Sequence, residues 1–576
     1  MCNLRVLTQQ ECDIITSRGS YIEDCSKVWV SPDFTVDQVW QSRLLGRVDI
    51  HTGVVISRST VSNYAIKDGA MVDSVARLEG LPGATFGNGV RVAVLNENGG
   101  REVVITDNLT AQVAYIWAMW RHLPKMVETL EMMAHSYSAE QCSDMGVVGR
   151  GSKLLSCGVV RNLYVDSDVV VEGASHLENG TLLSGARVGA DVKARDFIAV
   201  EGSRLNNGAV IERSFIGERV IVSNGFTLLD SLVFSSSHLE AGEGVSIFAG
   251  PYTVSHHKST LLIAGAFSFF NAGSGSNQSN HLFKSGAVHQ AQHLRGVKFA
   301  SNGYVMAPAI EGAFTTVIGR NSRHHDTSDF PFSILIESEA GRSSLIPAAN
   351  INSYGTVRDV EKWQQRDSRS VKRDVVSYPM WNPYITMSMI RGLNTLHSLS
   401  DASPLAESYT HNRVMIKPSL LKRGVQLYNK GIAAALGVML SYQGDQEHSV
   451  SGEWCDVAGQ YIAKGYLDGV VDDVESGELL NFEQIQSRFV EFDNHYQSYV
   501  KSWAITLLEE LQGGSVTQKD IDDAITASQR ILEEFATQAQ RDRARDFSSE
   551  TKVGYGVDSL SEEVVEADFI AVRGEI

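Results

Sequence analysis

The sequence predicts a mainly β solenoid, interrupted by one helical insert and followed by a helical C-terminal part. The first observation is a period of six. Every sixth residue from position 48 is small or β-branched, and Gly, Ser, Asn and Asp are frequent in between; the column is Val48, Val54, Thr60, Ile66, Val72, Leu78, Ala84 and Val90. This period fits neither a helix nor a plain strand, but it fits a coil whose short strands turn a corner every six residues.

The second observation is that the same pattern returns further along the chain, in shifted phases. The columns are Val147, Val159, Val165, Val171, Leu177 and Leu183, then Val188, Ala194 and Val200, then Val210, Ile216, Val222, Leu228 and Phe234. We interpret each phase change as a corner that gains or loses residues in a surface loop.

These stretches resemble the hexapeptide repeat of left-handed parallel β-helix proteins, in which three six-residue segments form one triangular coil. The left hand is implied by this resemblance, since ordinary parallel crossovers are right-handed. The whole chain also resembles, more loosely, a family of large uncharacterised bacterial β-helix proteins. That family brings no established chemistry with it.

The elements before the second repeat block are predicted in order. Residues 1–45, with Trp29, Trp40 and the strand-like Val28 to Val30, should cap the open end of the coil, because a terminal rung exposes unpaired backbone groups. Residues 46–107 form the first part of the β-helix. Residues 108–143 have helical spacing, with apolar positions at Val113, Ile116, Trp117, Trp120, Leu123, Met126, Val127, Leu130 and Met133. They form one amphipathic helix, or two separated at Pro124, packed on the coil wall or covering a cleft or a neighbouring subunit.

The remaining boundaries follow the same signals. Residues 144–350 form the second part of the β-helix with decorated late coils, 351–380 are a connector, and 381–576 are a C-terminal helical domain with an acidic tail. An apolar seam is spaced by threes and fours at Phe482, Ile485, Phe489, Phe492, Tyr496, Tyr499 and Trp503. A second helix should begin after Thr517, where Asp520 completes an approximate capping box. The two helices pair within the chain, or the seam packs on another subunit.

Charge and cysteine usage limit the classes of function. The 576 residues contain 68 acidic and 50 basic side chains, a formal net charge of -18, which argues against a nucleic-acid backbone or an anionic membrane as the main partner. The six cysteines form no CxxC pair and are predicted to be free thiols in a reducing compartment. The first 20 residues do not resemble a signal peptide, and the most apolar run, Leu261 to Phe270, is half the length of a membrane span. We therefore predict a cytoplasmic protein.

Histidine marks the region where chemistry is expected. Seven of the sixteen histidines lie in the late coils: His256, His257, His281, His289, His293, His324 and His325. Imidazole is suited to proton transfer near neutral pH and also binds metals. The candidate catalytic residues are His281, His289, His293, Asn277 and Asn280.

Three hypotheses use this cluster, and the first is acyl transfer. Many proteins that this chain resembles transfer an acyl group from coenzyme A to a hydroxyl or amine, with a histidine accepting the proton. His281 or His289 would be the base, and Asn277 and Asn280 would orient the acceptor or the thioester. No family motif matches closely enough to transfer a catalytic histidine.

The second hypothesis is a metal site. His289 and His293 have the i, i+4 spacing that places two imidazoles on one helical face, with His281 upstream as a third ligand. The arrangement is similar to the carbonic-anhydrase-like branch of the fold, but the flanking residues differ. We leave the metal open and assign no metal ligand.

The third hypothesis is phosphate recognition by residues 319–326. Arg320, Arg323, His324 and Asp326 are the candidates in this loop, and His256 and His257 are added as substrate-binding candidates. The alternative is a surface loop in which Asp326 and Asp329 neutralise the arginines.

Together these observations predict a homo-oligomeric transferase acting on a small polar acceptor, such as a sugar or nucleotide sugar. The base is a histidine, and acyl-CoA is the candidate donor. The alternatives are a non-enzymatic β-helix scaffold or binding module, and a metal-dependent enzyme. An enzyme should gather several candidate residues in one concave pocket, whereas a scaffold should leave them scattered.

Overall fold

In a computed structural model, the chain is a parallel β-helix that carries a helical insert and a C-terminal helical part, which confirms the predicted fold class. The structure describes residues 4–279, 290–444, 448–556 and 561–574. No helix in these ranges is long and apolar enough to cross a membrane.

The elements up to the end of the insert are as follows. They are β1 (Arg5–Val6), α1 (Gln9–Ser17), β2 (Tyr21–Ile22), β3 (Val28–Val30), β4 (Val39–Trp40), β5 (Arg43–Ile50), β6 (Val55–Ser57), β7 (Thr60–Ile66), β8 (Met71–Asp73), β9 (Arg77–Glu79), β10 (Val90–Ala93), β11 (Glu102–Ile105), α2 (Ala111–Met119) and α3 (Pro124–Glu140).

The coils continue after the insert. Their strands are β12 (Gly146–Val148), β13 (Lys153–Leu155), β14 (Val159–Val165), β15 (Val170–Glu172), β16 (His176–Leu182), β17 (Arg187–Val188), β18 (Lys193–Ala199), β19 (Arg204–Leu205), β20 (Val210–Ile216), β21 (Ile221–Ser223), β22 (Thr227–Leu229), β23 (Leu232–Val233), β24 (His238–Glu240), β25 (Glu243–Val245), β26 (Phe248–Ala249), β27 (Val254–Ser255), β28 (Leu261–Ile263), β29 (Gly265–Phe267), β30 (Asn271–Ala272), β31 (Asn277–Ser279), β32 (Ala291–His293), β33 (Lys298–Phe299), β34 (Tyr304–Met306), β35 (Ala309–Glu311), β36 (Thr316–Ile318), β37 (Arg320–Asn321), β38 (Ile334–Ser338) and β39 (Arg342–Ile346).

The C-terminal part is mainly helical. Its elements are α4 (Tyr354–Gln365), α5 (Pro383–Ala402), β40 (Tyr409–His411), β41 (Val414–Ile416), α6 (Pro418–Leu440), β42 (Trp454–Val457), β43 (Gln460–Ala463), α7 (Lys464–Ser476), α8 (Phe482–Asn494), α9 (Tyr496–Gln512), α10 (Gln518–Ala544) and α11 (Glu562–Arg573).

One turn of the regular coil takes 17 residues, which explains the phase changes of the six-residue pattern. Val159 pairs in parallel with His176, His176 with Lys193, and Lys193 with Val210. Three exact hexads would need 18 residues, so one corner in each turn is a residue short. The first column shows this shift at one position: the residue in the core is Val61, which is fully buried, and not Thr60, which is half-buried.

Two stacks of parallel strands form the walls that matter for function. Sheet A contains the long strands, from β5 and β7 through β14, β16, β18 and β20. Sheet B contains the short strands β6, β8, β13, β15, β17, β19, β21, β24, β27, β30, β33 and β36 in spatial order. Side chains alternate between the core and the outer face along each strand.

The limits of the first repeat block differ from the sequence prediction. Strands β2 and β3 already pair in parallel with β5, so the coil begins inside the segment predicted to be a cap. The coil leaves at β9 and returns at β12, because β7 pairs directly with β12. Residues 80–107, which the sequence predicts to be part of the coil, instead belong to the insert, where β10 and β11 form an antiparallel hairpin.

The helical insert consists of two helices, and the second begins at Pro124. Aromatic side chains of α2 contact both the coil and α8. Tyr115 packs edge-on against Phe248 of the coil, and Trp117 packs against Phe482 of α8. The insert thus lies between the coil wall and the C-terminal helices.

The C-terminal helices pair differently from the prediction. The seam is divided between α8 and α9, and its Phe492 packs on Trp454 of the β42–β43 hairpin and stacks on Tyr499. Thr517 caps α10 in a capping box with Asp520, as predicted. The main partner of α10 is α6, where the Ser528 hydroxyl donates to the Ala434 carbonyl (2.7 Å), and not the seam helix.

A buried arginine joins the C-terminal hairpin to the coil. The Arg295 guanidinium pairs with Asp456 (2.7 Å) and donates to the carbonyls of Ser377 and Gly459, each at 2.6 Å. Its carbon lies 4.1 Å from the ring centres of Phe269 and Tyr461. This cluster fixes where the helical part sits on the late coils.

The prediction of free thiols is wrong for one pair of cysteines. Cys12 and Cys25 form a disulfide, with Cα atoms 6.3 Å apart, because α1 folds back over the segment that precedes β3. Cys142, Cys157 and Cys455 are free.

Candidate functional site

The predicted catalytic set is only partly described. Asn280, His281 and His289 lie outside the described residues, so the structure does not place them. Asn277 begins β31, between Leu261 and Tyr304 in neighbouring rungs, and is half-buried.

His293 lies in the interior of the coil. It is on strand β32, so the predicted helical His289–His293 face is wrong at this position. Its imidazole is fully buried and is in ring contact with Phe267, Phe270 and Phe299. The ring is enclosed by aromatic side chains and its Nδ1 is bound to Glu311, so a substrate on the surface of the coil does not reach it, which argues against His293 as the general base.

His293 belongs to a buried cluster with Glu311 and His325. One Glu311 oxygen accepts from His293 Nδ1, and the other accepts from His325 Nε2 at 2.6 Å. His325 Nδ1 faces the Arg323 carbonyl at 2.9 Å, so both nitrogens of that ring must donate and the ring is an imidazolium. Burial alone would raise the pKa of Glu311, but the charges and hydrogen bonds of His293 and His325 lower it to about 2. Burial likewise opposes the charge on His325, yet the hydrogen bond to Glu311 raises its pKa. The cluster is a charged core network.

In the described part of the chain, no group of three or more His, Cys, Asp or Glu side chains is arranged to hold a metal.

The predicted phosphate loop does not gather its side chains. Arg320 is exposed and lies over the Tyr304 ring (4.2 Å), and Arg323 is also exposed. His324 and Asp326 line a separate shallow groove of about 360 Å³, with Asn412 and Arg413 of the β40–β41 turn. The alternative ion-pair loop is not formed either. Asp326 accepts from the Ser328 amide, and Asp329 pairs with Arg391.

A polar concavity lies between sheet B and helix α4, and we call it the α4 groove. Its volume is about 640 Å³. The coil contributes Arg219, Ser236, His238, Tyr252, Val254, His256, Phe269, Phe270 and Asn271, and the α4 segment contributes Arg358, Asp359, Lys362, Trp363, Arg366 and Ser368. Of the predicted binding residues, His256 lines this groove, whereas the exposed His257 does not.

The α4 groove is basic although the protein is acidic. Arg358, Lys362 and Arg366 recur at steps of four, which places them on one face of the helix. Asp359, the acidic residue of the lining, is already paired with Lys298 and Arg358. Within the described residues, Arg219, Lys362 and Arg366 form no ion pair; Arg219 donates to the Ser368 carbonyl at 3.0 Å.

Several other arginines on the coil have a counter-ion. Arg58 pairs with Asp73, Arg161 with Glu79 and Glu178, and Arg213 with Asp230. Cationic groups without counter-ions around a groove are typical of a site that binds an anion.

Two histidines form an adjacent pair on the coil side of the groove. The rings of His238 and His256 lie edge to face with centres 5.7 Å apart, and His256 Nδ1 is 3.8 Å from a Glu240 oxygen. Burial and the neighbouring His256 lower the pKa of His238, so this ring is neutral at neutral pH. The pair therefore offers a neutral imidazole beside one that a carboxylate can orient.

A hydrogen-bonded chain fixes the end of the groove. The Tyr252 hydroxyl meets the Tyr378 hydroxyl (3.0 Å), which donates to Asp367 (3.0 Å). Burial opposes the charge on Asp367, but the Arg369 guanidinium lowers its pKa to about 2. Since Asp367 follows α4 directly, this chain anchors the helix to the coil.

The comparison with known proteins gives the family. Residues 50–400 match the model of a domain of unknown function, DUF4954. The chain belongs to the DUF4954 family. Residues 439–576 match a second domain of unknown function, DUF6819. The first match therefore holds most of the β-helix with α4 and most of α5, and the second holds the β42–β43 hairpin and α7 to α11, while most of α6 lies between them.

Individual relatives add little about activity. The chain is 25% identical over 379 residues to an uncharacterized protein of Treponema pallidum (strain Nichols); the match covers 61% of this chain and 51% of that protein. The chain thus spans about half the length of the curated relative it matches. It is also similar to the UDP-N-acetylglucosamine acyltransferase from Campylobacter jejuni, with 11% sequence identity over 48% of this chain and 92% of that chain and a TM-score of 0.14. So low a TM-score gives this likeness no weight for activity.

Sequence reasoning missed most of the α4 groove. Arg219, His238, Lys362 and Arg366 were not among the candidates. Two signals point to them: His238 and His256 lie on adjacent rungs, two positions out of register, and Arg358, Lys362 and Arg366 repeat every four positions.

Proposed function

We propose that this DUF4954 protein is a transferase of the hexapeptide-repeat type that binds a diphosphate-bearing substrate in the α4 groove. The observation that carries the proposal is the set of unpaired cationic side chains around a groove that also holds the His238–His256 pair. A nucleotide sugar and an acyl-CoA both contain a diphosphate, so the same groove suits either as substrate. A volume of about 640 Å³ is in the range of small-molecule sites.

The cationic side chains would bind the phosphates. Guanidinium groups donate two parallel hydrogen bonds to phosphate oxygens, and Lys362 adds a point charge. Lys362 and Arg366 of the α4 segment lie across the groove from Arg219 of the coil, so the three would hold the diphosphate between α4 and sheet B. The rest of the substrate would then face the histidines.

His256 is the proposed general base. Glu240 lies beside its Nδ1, which favours the tautomer with a proton on Nδ1 and a free lone pair on Nε2. In acyl transfer, Nε2 takes the proton of the acceptor hydroxyl or amine while that atom attacks the thioester carbonyl. The carbonyl–sulfur bond then breaks, and the coenzyme A thiolate leaves with the proton returned from His256.

The test is release of free coenzyme A thiol from acyl-CoA donors in the presence of nucleotide-sugar acceptors. The variant His256→Gln should lose at least about 100-fold in turnover, in line with the loss of a general base. The matched control is His257→Gln, the neighbouring exposed residue outside the groove, which should keep wild-type turnover. Equal rates for the two variants would refute the assignment of His256. Diphosphate binding without turnover by the wild-type protein would instead favour the binding-module alternative.

A further inference from the structure

A second concavity lies on the same wall of the coil as the α4 groove, nearer the N-terminus. We call it the distal groove. Its volume is about 520 Å³, and its lining is Ser156, Val170, Glu172, Gly173, Arg187, Val188, Gly189, Ala190 and Asn206. No residue of the distal groove takes part in the α4 groove.

The two grooves are aligned on one ladder of sheet B. Arg187 pairs in register with Arg204, Arg204 with Ile221, and Ile221 with His238. Val188, Leu205 and Leu239, which directly follow Arg187, Arg204 and His238, are buried. Because side chains alternate along a strand, Arg187, Arg204 and His238 point outward. Three rungs separate Arg187 from His238, which is about 14 Å at the usual strand spacing.

The ladder between the grooves is cationic and lacks counter-ions. Arg187 and Arg204 are exposed, and neither forms an ion pair within the described ranges. Arg204 is near enough to His238 to contribute to the lowering of its pKa, along with Arg366 of the α4 groove. Positive charge therefore lies on both sides of the neutral His238, with Arg366 on the α4 side and Arg204 toward the distal groove.

The lining of the distal groove suits hydroxyl groups. Ser156 and Asn206 both donate and accept hydrogen bonds, and Glu172 accepts them. Small polar side chains beside an arginine match a sugar that carries an acidic group.

We infer that the substrate carries an acidic sugar chain, which runs from the α4 groove over Arg204 into the distal groove. The inference rests on the proposed function, because it extends the substrate held by its diphosphate in the α4 groove. It identifies the substrate class as an anionic oligosaccharide joined to a diphosphate, longer than a single sugar nucleotide. The distal groove would hold the end of the chain that is remote from the diphosphate.

Two probes separate the grooves in isothermal titration of the full chain. Uridine diphosphate reports on the α4 groove, and oligogalacturonides of two, four and six residues report on the ladder. The hexamer should bind more tightly than the dimer and should compete with uridine diphosphate. In the double variant Arg187→Ser/Arg204→Ser, hexamer affinity should fall about tenfold or more, because two charge-assisted contacts are lost. Its affinity for uridine diphosphate should stay unchanged.

The matched control is Arg77→Ser/Arg195→Ser, which removes the same charge from exposed positions on sheet A. It should keep wild-type hexamer affinity, and an equal loss in both double variants would overturn the inference. Hexamer binding no tighter than dimer binding would also overturn it, while retained uridine diphosphate binding would leave the proposed function standing. If hexamer binding depends on Arg187 and Arg204 but uridine diphosphate does not bind at all, the proposed function is refuted. The oligosaccharide site along Arg187 and Arg204 would then stand alone.

Discussion

Replacing Glu311 with Gln should destabilise the β-helix by about 3 to 5 kcal/mol at neutral pH. The carboxylate is fully buried and accepts from both His293 and His325. Gln keeps the size of the side chain but removes the charge, so the His325 imidazolium is left in the core without its counter-ion. Removing one partner of a buried ion pair costs this much because the other charge stays desolvated.

The assay is urea unfolding followed by circular dichroism. The matched control is Glu243→Gln, an exposed position on β25 of the same coil, which should change the free energy of unfolding by less than about 0.5 kcal/mol. The triple variant His293→Phe/Glu311→Leu/His325→Leu should recover much of the loss, since an apolar replacement leaves no buried charge. A Glu311→Gln protein as stable as the control would refute the charged-network account.

The same cluster fixes the sign of the pH dependence. The pKa of Glu311 falls from its usual 4.5 to about 2 on folding, so its contribution of about 3 kcal/mol is present above pH 4.5 and is lost as the pH falls from there toward 2. The pKa of His325 is raised, so its contribution is present below 6.5 and is lost as the pH rises through the elevated value. In Glu311→Gln the acid-side loss should be smaller than in the wild type.

Two further substitutions test how the helical part is attached. Arg295→Ala should lower the free energy of unfolding by about 3 to 5 kcal/mol, because Asp456 and two carbonyls lose their buried donor. Thermal unfolding measures this, with the exposed Arg323→Ala as the control. Equal stability of the two variants would contradict the role of Arg295 in joining the helical part to the coil. Gly437→Ala should destabilise the protein by about 1 to 3 kcal/mol, since the added Cβ would lie 2.1 Å from Ser528 Cβ. The control Gly469→Ala has no atom within 4 Å of the added Cβ, so it should stabilise α7 by up to about 1 kcal/mol. The opposite order of the two glycine variants would contradict the α6–α10 packing.

The β-helix and most helices are predictable from the sequence because their signals are local. A buried corner repeats with every turn, and Thr517 with Asp520 is a complete start signal for α10. The 17-residue rung was hidden because a short corner shifts the six-residue phase by one position in each turn. A disulfide such as Cys12–Cys25 depends on how α1 folds back, which spacing alone does not specify.

The site was harder to predict because it joins segments distant in sequence. Clustering along the chain favoured the late histidines, yet alternation along β32 turns His293 into the core. His238 and His256 become neighbours only when the rung length is known. Lys362 and Arg366 become part of a groove only when α4 folds back against the earlier coils.

The central claim is that unpaired cationic side chains of the α4 groove bind a diphosphate, and isothermal titration with uridine diphosphate and coenzyme A measures it most directly. The wild-type protein should bind both ligands. The double variant Lys362→Ser/Arg366→Ser should lose about tenfold or more in affinity for each. The control double variant, Arg320→Ser/Arg323→Ser, should retain wild-type affinity. Equal affinities in all three proteins, or no binding of either ligand by the wild type, would contradict the account.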